Sequence, residues 1–360
     1  MDKIKKIILV KVPLSICNFR CHYCYLAQRD EHYQGIQPEM KYSPAQVAGA
    51  LSRERIGGLA FINICADGET LLLKDLDLYV KALLEEGHYL EIVTNCTVNT
   101  MLDKILALPE DMLKRLEFKC SFHYLELVKR GLLDRFVDNI HKIWAAGASV
   151  NIEITPTDEL VPYIDEVKKF SIENFGALPH LSIARDDRTY GIDYLTSMSD
   201  EEYNKIWSQF KSEFWQFKRT IFGKKQTDFC YAGDWGCYVN LETGEATQCY
   251  CGMRLGNIFE NPSKPLPTKA IGRCPIPHCY NGHALMSLGL IPNKYHTRYG
   301  DIRNRVRQDG TQWLQPQLLD FFNSKLEESN KQYNALQKGG SYIRQFCERG
   351  AKHIKHKFSK

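Results

Sequence analysis

The sequence predicts an α/β protein in which a parallel sheet of βα units is followed by a small cysteine-rich extension. Three observations lead there. Residues 7 to 185 alternate six short, β-rich apolar runs with helical stretches, and strands that alternate with helices build parallel sheets. Gly87 and Gly147 stand where a helix has to end before the next strand begins. Beyond residue 220 the composition shifts, and six of the 13 cysteines fall between Cys230 and Cys279.

The strand candidates are Ile7–Val12, Ala60–Ile64, Tyr89–Thr94, Glu117–Ser121, Ser149–Ile154 and His180–Ala184. Helices are expected over Ser43–Glu54, Lys74–Glu86, Val98–Ala107, Leu132–Ala145 and Leu160–Asn174. Ser43-Pro44 reads as an N-cap followed by proline in the first turn. In the fifth strand Asn151 and Glu153 are alternate residues and so share one face.

The first strand runs into Cys17-Asn-Phe-Arg-Cys21-His-Tyr-Cys24-Tyr25. A loop leaving a strand can turn three thiolates toward one site, and soft sulfur ligands suit an iron–sulfur cluster or zinc. A structural zinc site is closed by four protein ligands, whereas a site that does chemistry keeps a position open. Zinc usually shows two Cys/His pairs at matched spacing, and no second pair lies near. His22 sits between Cys21 and Cys24, where its ring is expected to point away.

The C-x3-C-x2-C spacing with an aromatic residue, Tyr23, before the last cysteine resembles the signature of the radical SAM superfamily. The resemblance implies a partial (β/α)6 barrel and a [4Fe–4S] cluster on Cys17, Cys21 and Cys24. It also implies S-adenosylmethionine chelating the open iron, with reductive cleavage to a 5′-deoxyadenosyl radical that takes a hydrogen atom from substrate. An electron donor such as flavodoxin or ferredoxin comes with that chemistry.

In such a barrel the reactive groups gather at the carboxyl ends of the strands. After the second strand, Asp67-Gly68-Glu69 is similar to the family's Gly-Gly-Glu loop, which meets the amino group of S-adenosylmethionine, with Asp67 replacing the first glycine. A plain turn running into an acidic helix start reads equally well from these residues alone. Thr94-Asn95-Cys96 is similar to the Thr-Asn-Gly of relatives, which makes Asn95 a cofactor-side candidate. Ser121 is a candidate for the cofactor ribose or carboxylate, and Arg185 for its carboxylate, because a guanidinium fork suits bidentate binding. His123 departs from the family pattern and is either structural or aimed at substrate. Cys65, Cys96 and Cys120 fall on or after strands; free cysteine is among the most buried residue types. Some relatives return a hydrogen atom to a substrate radical from a thiol, and Cys65 and Cys96 have the positions for it.

In the second half, Tyr203, Ile206, Trp207, Phe210, Phe214 and Phe217 recur at helical spacing over residues 199 to 218, as a packing face does. Glu242-Thr243-Gly244-Glu245 reads as the turn of a β-hairpin. Cys230 followed by Gly244-x4-Cys249 resembles the opening of the SPASM and twitch extensions, which hold auxiliary iron–sulfur clusters. One auxiliary cluster, on Cys230, Cys249, Cys274 and Cys279, is the expected count, leaving Cys237 and Cys251 as spares; zinc suits four thiolates equally well. Asn281–Pro292 is expected as an apolar helix, Asn261–Pro267 as a surface loop, and Trp313–Leu336 as an amphipathic helix. The tail from Arg344 to Lys360 is basic and is expected to be a solvated, partly disordered end. The expected division is a barrel core over 1–220, an auxiliary-cluster domain over 221–300 and a helical basic tail over 301–360.

Composition narrows the function classes. Hydrophobic content of 44% is ordinary for a globular chain, no apolar run approaches bilayer length, and no signal-peptide pattern opens the sequence. Thirteen cysteines without an export signal point to the reducing cytoplasm. A net charge of +4 is too mild to imply nucleic acid. Because the first strand begins almost at Met1, no preceding peptide-recognition domain is expected, nor is a cobalamin domain. The expected function is oxidation or epimerisation of a peptide or a carbohydrate-like small molecule. A maturase forming thioether or carbon–carbon links in a peptide, and a non-catalytic iron–sulfur or zinc protein, are the alternatives.

Overall fold

The computed structural model describes residues 2–28, 40–188, 192–250, 252–276, 279, 282–292, 296–326 and 330–358. Five long parallel strands, β1 (Lys6–Lys11), β2 (Ala60–Cys65), β3 (Tyr89–Thr94), β4 (Leu116–Ser121) and β5 (Ser149–Ile154), pair in chain order, and β6 (His180–Leu181) adds to β5. The helices between them are α1 (Pro44–Ala50), α2 (Arg53–Ile56), α3 (Leu76–Glu85), α4 (Asn99–Leu106), α5 (Glu110–Leu113), α6 (Tyr124–Arg130), α7 (Leu133–Ala145) and α8 (Ile164–Phe175). This is a partial (β/α)6 barrel.

Strand alternation separates the two faces. Ile8, Val10, Ile62, Ile64, Leu90, Ile92 and Phe118 join Val47, Val80, Leu84 and Ile140 in the core between sheet and helices. Ile7, Phe61 and Tyr89 face inward against Phe214, Leu285, Phe321 and Phe322. The same inward face carries Asn63, Glu91, Glu117, Asn151 and Glu153 by parity. The guanidinium of Arg303 fills this ring of acids: it donates to Glu91 and Glu153, and to Glu117 at 3.0 Å, while Asn151 donates to its carbonyl at 2.7 Å. Three buried carboxylates are tolerable there because a fully buried cation meets all of them.

The remaining elements are β7 (Arg185–Asp186), β8 (Asp193–Tyr194), α9 (Asp200–Trp207), α10 (Glu213–Ile221), β9 (Gly236–Asn240), β10 (Glu245–Thr247), β11 (Arg254–Asn257), α11 (Gly282–Ser287), α12 (Tyr299–Arg303), α13 (Pro316–Asn323) and α14 (Ala335–Phe358). The expected hairpin is β9–β10. It does not stand apart: β9 pairs in parallel with β1, so one sheet runs β11-β10-β9-β1-β2-β3-β4-β5-β6. Gly236 makes that possible, because a Cβ there would lie 2.5 Å from the Ile7 carbonyl oxygen.

Several expected boundaries shift. The sixth strand stops at Leu181, and Arg185–Asp186 pairs with β8 instead. The helix expected over 199 to 218 breaks at Lys211, whose φ is 47°, and Ser212 restarts the chain by accepting from the Trp215 amide. The helix expected from Trp313 begins only at Pro316 and ends at Asn323. The basic tail is helical, as α14, because Gln345 and Arg344 tie it to the Gln226 and Arg273 carbonyls. Among the described residues no helix is long and apolar enough to cross a membrane.

Candidate active site

The loop after β1 is cross-linked to the loops after β2, β3 and β4. The Glu69 amide donates to the Ile16 carbonyl at 2.9 Å, which fixes the chain just before Cys17. A Cβ at Gly68 would lie 2.1 Å from that same carbonyl oxygen, so only glycine lets the two loops meet. Asn18 accepts from Asn95 Nδ2 at 2.7 Å and donates to Thr97 Oγ1 at 2.9 Å. Tyr23 Oη meets His123 Nδ1 at 2.6 Å, which ties the cysteine loop to the end of β4.

Glu69 is the hub of this scaffold. Its buried carboxylate accepts from the amides of Leu71 at 3.0 Å and Asn95 at 2.7 Å, and from the Thr94 hydroxyl. Burial pushes its pKa up to about 6, while the hydrogen bond from Thr94 and those from the two amides pull it down. Asp67, which replaces a glycine of the family pattern, forms an ion pair with Lys11. His22 turns to the surface, where its Nε2 lies 2.8 Å from Glu159.

One cavity of about 310 Å³ is lined by Cys17, Cys21, Cys24, Tyr23, Gly68, Glu69, Asn95, Ser121 and Arg185. Every cofactor-side candidate and the three thiols of the first cluster therefore share one space. Arg185 forms an ion pair with Asp187 and lies 3.8 Å over the Tyr25 ring. Cys65 and Cys96 are not on the wall of this cavity. Cys96 is fully buried in the helix-side core with Cys120, and its φ of 57° is a left-handed value that explains the glycine relatives carry there. Cys65 lies at the end of β2, and burial, followed by the charge of Asp67, pushes its thiol up to about 12.

Sequence reasoning did not single out Lys119, Thr155, Ser182, Lys218 or His283 as site residues, yet all line the cavity beside Glu153. Lys119 Nζ lies 3.1 Å from Glu153. The inward parity of Lys119 and Glu153 was a usable signal. Lys218 and His283, on α10 and α11, had none, because they reach the barrel from outside its βα units.

A second cavity, about 80 Å³ and mostly apolar, is lined by Cys230, Cys237, Cys249, Cys274 and Cys279 with Ile7, Leu9 and Leu290. Cys230 is held by paired hydrogen bonds with Gly272, at 3.0 and 2.9 Å. Burial pushes its thiol far up, and the Cys274 and Cys249 sulfurs add to the shift. Cys237 is pushed up to about 12 by burial, which Lys6 opposes. Cys251 lies outside the described residues.

The donor sets suit a multinuclear metal group. Cys17, Cys21 and Cys24 line the first cavity and Cys230, Cys249, Cys274 and Cys279 the second, and soft thiol donors are those that iron–sulfur clusters take. The Phe19 amide donates to Cys17 Sγ at 3.4 Å, a contact that favours a thiolate. Burial, the largest cause, pushes the Cys17 thiol up to about 11 and the Cys21 thiol further, so a bound cation is what would ionise them.

Residues 12–158 match the family model described as the radical SAM superfamily. No curated protein matches the chain. Among solved structures, native anSMEcpe with bound AdoMet aligns at a TM-score of 0.50 and 13% identity, over 97% of this chain and 98% of that one. Streptococcus suis SuiB bound to S-adenosylmethionine aligns at a TM-score of 0.48 and 16% identity, over 71% of this chain. This chain spans 64% of the length of SuiB. BtrN in complex with AdoMet and 2-DOIA aligns at 0.33 and 17% identity, over 73% and 82%. At such identities the likeness to anSMEcpe is one of fold. The family's cofactors are a [4Fe–4S] cluster and S-adenosylmethionine, for which the barrel cavity offers three thiols and a braced set of strand-end loops. Over residues 12–158, this chain is thus similar to the radical SAM superfamily.

Proposed function

We propose that the protein is a radical SAM enzyme that oxidises a peptide or carbohydrate-like substrate seated in the barrel cavity, with one hydrogen atom going to the 5′-deoxyadenosyl radical, a proton to solvent and the second electron to an iron–sulfur cluster. The observation that carries this reading is the single cavity in which the cysteine loop faces the same space as Lys119, Glu153, Ser182, Lys218 and His283. When bound, the cluster and S-adenosylmethionine supply a 5′-deoxyadenosyl radical that removes the hydrogen atom. The chain's own residues do the rest. Cys17, Cys21 and Cys24 would hold the cluster, and Glu69, Asn95 and Asn18 keep their loop from moving. Ser121 and Arg185 would meet the polar groups of S-adenosylmethionine, and Phe19, Tyr25 and Phe222 line the same space.

Oxidation is favoured over epimerisation by the placement of Cys65 and Cys96. A thiol that returns a hydrogen atom has to reach the substrate, and neither lines the cavity. Cys230, Cys249, Cys274 and Cys279 would hold a second iron–sulfur cluster, with zinc as the alternative.

The test is anaerobic reconstitution, counting of iron and sulfide, and addition of S-adenosylmethionine with dithionite. The expected result is about eight irons with release of 5′-deoxyadenosine, and loss of about four irons and of the nucleoside in Cys17→Ala. About four irons with one zinc would keep the chemistry and make the second site structural. No nucleoside, with the iron content of Cys17→Ala unchanged, would overturn the reading.

A further inference from the structure

We propose that Lys218 and His283 form an oxyanion-binding pair that seats an acidic group of the substrate, a carboxylate or a phosphate, in the barrel cavity. This rests on the reading of that cavity as the radical site and adds to it a substrate class.

The two side chains come from separate elements, α10 and α11, and converge on one aromatic wall. Lys218 Nζ lies 4.8 Å over the Phe214 ring, and the His283 ring stands edge-on to the same ring at 4.9 Å. Both line the cavity. His283 is 8% exposed, and its Nδ1 has no hydrogen-bond partner. Among the described residues, the Lys218 ammonium forms no hydrogen bond or ion pair, although the neighbouring cations do. Lys119 is paired with Glu153, Arg185 with Asp187, and Arg303 with Glu91, Glu117 and Glu153. Glu153, the carboxylate that acts most strongly on Lys218, is already shared by Lys119 and Arg303.

A buried ammonium without a counter-ion is unfavourable, and the usual remedies are a carboxylate partner or loss of the proton. At the partly buried Lys218 the second remedy is favoured. Burial lowers the Lys218 pKa to about 7; Glu153 opposes that shift, and Lys119, Arg185 and Arg303 reinforce it. His283 is kept neutral by burial, with Lys218, Lys119 and Arg303 pushing the same way. An entering anion would supply the missing counter-charge to Lys218 and accept a hydrogen bond from the His283 ring. It would restore the Lys218 proton, so affinity should be full below about pH 7 and fall as pH rises through the titration of the bound lysine. A cofactor reading of the pair is separable, because probes added to protein saturated with S-adenosylmethionine read a site that the cofactor has left open.

The experiment is anaerobic calorimetry of reconstituted protein, saturated with S-adenosylmethionine, titrated with succinate and with inorganic phosphate. It is run on either side of neutrality, at about pH 6 and about pH 8.5. We expect one probe to bind, at least about fivefold tighter at the lower pH. Lys218→Met should weaken it by about tenfold or more, in excess of any change in S-adenosylmethionine affinity, and Lys218→Arg should retain most of it. Preference for succinate names a carboxylate substrate, and preference for phosphate a phosphorylated one. Equal iron content in the variants shows that they fold. No binding of either probe, binding that Lys218→Met leaves unchanged, or a loss confined to S-adenosylmethionine would each overturn the proposal. Failure to release 5′-deoxyadenosine at all would instead overturn the reading it rests on.

Discussion

The two cysteine-lined cavities are built in opposite ways. Around Cys17, Cys21 and Cys24, four strand-end loops are joined by side-chain and backbone hydrogen bonds through Glu69, Asn18, Asn95 and the Tyr23–His123 pair. Around Cys230, Cys249, Cys274 and Cys279 the wall is largely apolar, with Ile7, Leu9, Ile271, Leu285, Leu290 and Ile291. A polar scaffold fixes positions before any ligand arrives, whereas an apolar wall only excludes water. The first site is therefore held by its protein frame, and the second is expected to depend on its metal for order.

Substitution of Arg303 should have the largest effect, because it strikes the barrel from a residue beyond the extension. Arg303→Met leaves Glu91, Glu117 and Glu153 buried without their cation, a loss of about 3–5 kcal/mol, read from the denaturant midpoint. If the barrel and the extension unfold together in that variant, the joined sheet makes them one cooperative unit; two transitions would sharpen the contrast between them.

Gly68→Ala comes next. Its Cβ would meet the Ile16 backbone, so the cysteine loop has to move. The expected result is loss of about four irons and of nucleoside release, with the metal of the extension retained. Retention of all iron would break the claim that the polar frame positions the first thiols. Removing metal with a chelator under reducing conditions should expose residues 230–279 to protease before the barrel loops, and equal cleavage of both would erase the difference.

The smallest effect is a pH dependence confined to the barrel. His88 is buried and neutral, accepting from the Ala60 amide at 3.1 Å and meeting the Leu51 carbonyl at 2.8 Å. Burial lowers its pKa from 6.5 to about 4. Its contribution is present above pH 6.5 and is lost as pH falls toward 4, by up to about 3 kcal/mol. His88→Gln should flatten the acid limb of stability over that window, measured by thermal denaturation at several pH values. An unchanged slope would show that this histidine does not carry it.

Much of the barrel was legible because local signals agreed there. Ser43-Pro44 caps α1, Gly87 and Gly147 end helices with positive φ, and the strand alternation of Asn151 and Glu153 put both on the inward face. The three cysteines and the Gly68-Glu69 loop were legible as a pattern, though the pattern concealed the part Gly68 plays. In this molecule it makes room for the Ile16 carbonyl. Cys65 and Cys96 show the reverse. Their positions near strand ends suggested access to substrate, and one left-handed residue turned Cys96 into the helix-side core.

By itself the sequence determined what periodicity and spacing can encode: the order of strands and helices, the facing of alternate residues, the thiol triplet and the hairpin. Those are short-range properties, set by sterics and by the chemistry of neighbouring residues. Only the tertiary structure decided which distant groups meet. It placed β9 beside β1, brought Arg303 to carboxylates 150 to 212 positions away, and set Lys218 and His283 against one phenylalanine inside the barrel. The physical reason is that a buried charge has to be answered by whatever group the packed chain delivers, and that delivery depends on the whole fold.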